Sequence, residues 1–143
     1  MNRLLLLCAA TLSLTAAASQ PLSVSNAWAR ATPPGATTAA AYLDIENAGA
    51  ADSLVGVRSD AARAVEVHGT RHEHGMMRME RLEELPVPSG EVTRLEPGGR
   101  HLMFIDIARP FAPGETVTVT LQFANAGEIE VELPVRDART LAR

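Results

Sequence analysis

The chain has 143 residues, 46% of them hydrophobic and 21% charged, with a net charge of −4. That is enough for one packed domain and too apolar for a disordered chain. All thirteen basic residues are Arg, scattered without a cluster, so the basic stripe that nucleic acid requires is missing and that partner class is excluded.

Taken in order, the chain begins with Met1-Asn2-Arg3, a short positive region, followed by the apolar run Leu4 to Leu14 and then Ala16-Ala17-Ala18. This is the pattern of a secretory signal peptide over residues 1–18, cleaved after Ala18 or Ser19. The apolar run is shorter than the roughly 20 residues of a membrane span, so no span is expected in the mature form. Cys8, the only cysteine, follows four leucines, where a small residue should precede a lipid-modified Cys. The mature chain is therefore expected to lack any thiol, which excludes disulfides and cysteine-ligated metal sites.

Beyond the leader, short alternating runs are separated by Gly, Pro, Asn and Asp, the signature of strands and turns. Predicted strands cover Leu22 to Arg30, Thr38 to Glu46, Ser53 to Arg58 and Ala64 to His68. A segment from Met76 to Leu82 follows, then a loop from Leu85 to Gly90 and a short strand from Val92 to Leu95. His101 to Ile107 is strongly apolar. Thr116 to Phe123 alternates most cleanly, and Ile129, Val131 and Leu133 continue that pattern after a turn at Asn125-Ala126-Gly127, forming a hairpin. Eight or nine such strands predict an all-β sandwich or barrel over residues 22–135, with residues 136–143 as a short, frayed tail.

One stretch concentrates the chemistry. Between His68 and Met103 lie all four histidines (His68, His72, His74, His101) and every methionine except the initiator (Met76, Met77, Met79, Met103). Imidazole and thioether together, without thiolate, suit a soft monovalent ion such as Cu(I). His101 and Met103 alternate onto one strand face. With His68 at a strand end and Met79 on the segment returning after a turn through Gly69 and Gly75, strand ends converging at one rim would form a neutral N2S2 cage. Met76 and Met77 also read as loop-packing residues. His72 and His74 read as solvated loop histidines or as an auxiliary, harder site. Trp28 reads as core, and Glu83-Glu84 as a solvated face.

The spacing His68-x10-Met79-x21-His101-x-Met103 resembles the signature of the periplasmic copper chaperones known as PCuAC. The flanks are similar too: Asn26-Ala27-Trp28-Ala29-Arg30, Val65-Glu66-Val67-His68, Met77-Arg78-Met79 and Leu95-Glu96-Pro97-Gly98-Gly99. The resemblance spans residues 22 to 135. It implies a cupredoxin-like Greek-key β-sandwich that holds Cu(I) through His68, Met79, His101 and Met103. It also implies a periplasmic carrier delivering the ion to the copper-site subunit of a respiratory cytochrome oxidase, together with a Sco-type thiol protein. Two departures stand out. Gly69 occupies a position where the family commonly has Met, and residues 136–143 contain no His or Met, unlike the His- and Met-rich C-terminal tail of some members.

Other function classes fare less well. A blue-copper electron carrier requires a thiolate that the mature chain lacks. An enzyme is not expected, because a saturated four-ligand shell leaves no open position for substrate. A structural or interaction sandwich without a metal-transfer role, or a general periplasmic copper storage or tolerance protein, remains as the alternative.

Overall fold

The computed structural model describes residues 21–141. The predicted signal peptide lies outside the described residues. Ten strands run in order: β1 Leu22–Arg30, β2 Thr38–Asn47, β3 Asp52–Arg58, β4 Ala62–Glu73, β5 Met76–Leu82, β6 Leu85–Val87, β7 Val92–Leu95, β8 His101–Ile107, β9 Thr116–Phe123 and β10 Gly127–Arg136. A short 3-10 helix, Ala138–Leu141, follows in what the sequence marks as the tail.

The sheet closes on itself. Seven strands form a ring in the order β4-β8-β2-β1-β10-β9-β3, sealed by the pairing of Val57 on β3 with Val65 on β4. β5 extends the sheet outward from β4, β6 from β3, and β7 pairs with the far end of β2. β1 and β10 pair in parallel, and the other pairings are antiparallel. The expected all-β, cupredoxin-like architecture is present.

Alternation decides which face is inside. Val65 and Val67 of β4, Leu102 and Phe104 of β8, Ala39, Ala41 and Leu43 of β2, and Val119 and Leu121 of β9 are buried together in one core. Their neighbours on the same strands (Glu66 and His68, Met103, Ala40 and Tyr42) therefore project from the outer face. Trp28, expected in the core, is buried but stands apart from the main cluster. Its ring packs on Tyr42 at 4.7 Å between centroids, on the rung where β1 meets β2, and Arg30 lies over Tyr42.

The structure differs from the sequence expectation in three places. β4 does not stop at His68 but continues to Glu73, pairing with β5 up to Glu73 and Met76. His74 (φ 52) and Gly75 (φ 75) make the two-residue turn, and positive φ at both positions is the type I′ geometry that suits a hairpin's twist. Gly69 is accordingly a strand residue, not a turn. Leu85–Val87, expected to be loop, forms the edge strand β6, where Pro86 opposite Ser53 is tolerated because an edge strand leaves one side unpaired.

Candidate metal centre

The register of three strands assembles the site. His68 on β4 stands directly opposite His101 on β8, and Glu66 directly opposite Met103. On the other side of β4, Thr70 is opposite Met79 of β5 and His68 is opposite Arg81. All these residues share the outer face. His68 is thus central: His101 is its direct partner, while Met103 and Met79 lie on its diagonals, a separation that long side chains span. The expected cage residues come together on the outer wall of the barrel. His68 and Met79 stand inside their strands, which corrects the expectation of strand ends meeting at a rim; His101 alone opens its strand.

Burial falls off across the group. His101 is 9% exposed and the His68 side chain 17%, whereas Met79 is 57% exposed. His101, Met103 and Met79 line a cavity of about 410 Å³ whose walls include Tyr42, Ala40 and Gly99. A larger groove of about 560 Å³ is lined by Arg58, Asp60 and Glu115 but contains neither histidine nor methionine. Its charges are partly paired, Arg58 with Glu128 and Arg109 with Glu115.

The two imidazoles sit 5.8 Å apart, and their hydrogen bonds define which nitrogens are free. The His68 Nε2–H donates to Glu66 Oε2 at 2.8 Å, which leaves Nδ1 as the bare lone pair. That Nδ1 is buried and has no hydrogen-bond partner. The His101 Nδ1–H donates to the Gly99 carbonyl at 3.2 Å, leaving Nε2 bare. A ring that donates one N–H to a carboxylate or carbonyl and offers the other nitrogen is the arrangement of metal-bound histidine. An orphaned buried nitrogen is costly unless something satisfies it, and a soft cation does so. The residues therefore fit a copper ion. Among the described residues, no three His, Cys, Asp or Glu side chains converge to hold a metal, so a site here depends on the thioethers.

Glu66 is the residue that sequence reasoning missed. Its bond to His68 is the largest influence on it; with the nearby Arg81 charge it outweighs desolvation and holds the carboxyl below the usual range. Arg81 Nη1 approaches its other oxygen at 3.5 Å. The available signal was position: two residues before a ligand on a strand is the same face. The Gly99 carbonyl is presented by the turn Glu96 to Arg100, closed by the bond from Gly99 N–H to Glu96 O at 3.0 Å. Gly69 faces the core side, where a Cβ would meet Leu82 at 3.3 Å. A Met at that position would therefore add nothing to the outer face. His72 and Met77 form the next rung out on that face, Met76 lies on the other face of β5, and His74 is at the turn.

Fold and site together define a cupredoxin-like domain with an outward-facing His/Met cluster, and solved PCuAC domains share that fold. The copper-bound PCuAC domain from PmoF2 is similar at 27% identity and TM-score 0.69, covering 82% of this chain and 93% of that one. The CuI-DR1885 solution structure from Deinococcus radiodurans is similar at 30% identity and TM-score 0.67, covering 85% and 84%. This chain belongs to the LpqE-like family, described as "Putative lipoprotein LpqE-like", which it matches over residues 22–135. "Putative lipoprotein Lxx21020" of Leifsonia xyli subsp. xyli (strain CTCB07) is 33% identical over 118 residues, 81% of this chain and 70% of that protein.

Proposed function

We propose that this domain is a copper carrier of the cell envelope that binds one Cu(I) through His68 Nδ1, His101 Nε2 and the thioethers of Met79 and Met103. One observation carries the reading: the strand register puts these four side chains on one face around His68. Two neutral imidazoles and two thioethers favour a +1 ion over Zn(II) or Cu(II). The graded exposure supports transfer, since Met79 is reachable from solvent while His101 anchors the inner side. The site is a carrier and not an enzyme, because four protein donors fill the shell.

An anaerobic competition titration against a chromophoric Cu(I) chelator tests the reading. The expected result is one tightly bound equivalent. Met79→Ala/Met103→Ala should weaken it by more than about a hundredfold, beyond what loss of a supporting group alone causes. Equal affinity in the two proteins would refute the cage. A structural or interaction domain without a metal-transfer role predicts no stoichiometric uptake at all.

The recipient we propose is the copper-site subunit of a cytochrome oxidase, with a Sco-type thiol protein as co-participant. Spectroscopic transfer to the apo subunit separates that role from general periplasmic copper storage or tolerance. The lipoprotein names of the relatives support export to the envelope. The context of Cys8 favours a cleaved leader and a periplasmic location over a lipid anchor, and among the described residues no helix is long and apolar enough to cross a membrane. Mass spectrometry of the mature N-terminus decides this: an N-terminus near Ser19 is expected, and an acylated Cys8 would reverse the assignment.

A further inference from the structure

The hairpin of β4 and β5 carries more soft donors than the cage uses. Beyond Thr70 and Met79 it is exposed on both faces. Three thioethers stand in water there: Met76 at 57% exposure, Met77 at 64% and Met79 at 57%. An edge strand with exposed apolar side chains is a liability that folded proteins usually avoid. Met76 faces away from the cage. Met77 does not: it is directly opposite His72, and both lie on the cage face one rung outward from Met79. Directly opposed residues have Cβ atoms about 4.5–5.5 Å apart, so an imidazole and a thioether there can meet at a single ion. Met77, though not His72, lines the same cavity as Met79, His101 and Met103.

We propose that His72 and Met77 form a second, outer Cu(I) subsite, and that Met79 is the thioether through which an ion passes between it and the inner cage. This rests on the copper-carrier reading above. Two donors, one nitrogen and one sulfur, give Cu(I) a low-coordinate resting place in the open. Met79 then swings between the rungs, which lie about 7 Å apart along the strand. The ion meets His68, His101 and Met103 only after Met79 has joined it. Only copper–donor bonds form and break along this path, so the ion moves as Cu(I) throughout and no electron is exchanged. Release follows the same path in reverse, and an acceptor need only reach the tip of the hairpin.

The test is an anaerobic Cu(I) titration of the whole mature domain, followed by the methionine methyl and histidine ring NMR signals. In the wild type, a first equivalent should shift Met79, Met103, His68 and His101. A second, at least tenfold weaker, should shift Met77 and His72. His72→Ala/Met77→Leu, both changes at exposed positions, should lose the second equivalent. It should also exchange copper with a bulky chelator several-fold more slowly. Saturation of the wild type at one equivalent with Met77 unmoved, or a second equivalent that survives in this variant, overturns the outer subsite. His101→Ala/Met103→Leu separates this failure from failure of the cage: it should lose the tight equivalent and keep the weak one. Persistence of tight binding there would indict the inner cage instead.

Discussion

His68 is held by a carboxylate that does not itself touch the proposed metal. Glu66 accepts the Nε2–H bond, fixes the ring's tautomer and leaves the buried Nδ1 bare. Loss of such a partner typically lowers metal affinity 10- to 100-fold, so Glu66→Ala should weaken Cu(I) binding by about that factor in the competition titration. Glu66→Gln keeps an acceptor and should lose less; equal losses in the two variants would show that the bond is not what matters. Gly69 gives the opposite kind of prediction. A Met at that position drives a side chain into Leu82 on the core side. Gly69→Met should therefore cost about 1–3 kcal/mol in denaturant unfolding, as overpacking does, without raising Cu(I) affinity. A gain in affinity would mean the residue reaches the outer face.

At the scale of elements, one carboxylate at the start of β3 holds the turn between β9 and β10. Asp52 accepts bonds from the backbone N–H groups of Ser53, Asn125 and Ala126 at 2.8, 3.0 and 2.9 Å. Desolvation, the largest single influence, raises its pKa, but the three amide bonds together reverse that and hold the carboxyl below its ordinary value. A depressed carboxylate contributes stability that is full above the unfolded-state value, near pH 4, and fades as pH falls through the folded value. Asp52→Asn should cost about 1–3 kcal/mol at pH 7, with the gap from wild type closing below pH 4 in urea melts; a gap that persists at pH 2 would count against this origin. The strands β2, β8 and β9 were legible because one face of each is buried and the apolar alternation records it. The outer half of the β4–β5 hairpin was not, because residues exposed on both faces carry no alternation, and its turn is His74-Gly75 where Asn-Gly would have been plain. β6 was hidden by its central Pro86. The four proposed ligands were legible from type and spacing, but their place on the outer wall depends on register, which no spacing along a single strand reveals.

For the whole molecule, the closed ring supplies a wall whose strands are paired on both sides, and β5 supplies an edge. β8 and β4 belong to the ring, whereas β5 is held by its pairing with β4 alone and ends the sheet. An ion shared by Met79, His68, His101 and Met103 would link β5 to β8 across β4, adding a tie that the apo fold does not have. Binding to the folded state alone stabilises it by about 2.7 kcal/mol when free ligand stands at a hundred times Kd. For a domain of this size that corresponds to roughly 10 °C in melting temperature. The gain should also be local. Amides of β5 from Met77 to Arg81 should exchange with solvent more slowly in the Cu(I)-loaded protein, because an edge strand opens by local unfolding long before the ring does. Those of β9 and β10, remote from the ligands, should slow only where their exchange already requires global unfolding. Hydrogen exchange followed residue by residue, with and without Cu(I), reads both effects in one experiment. If β5 gains no protection while the melting temperature rises, the copper is bound elsewhere and Met79 is not a ligand.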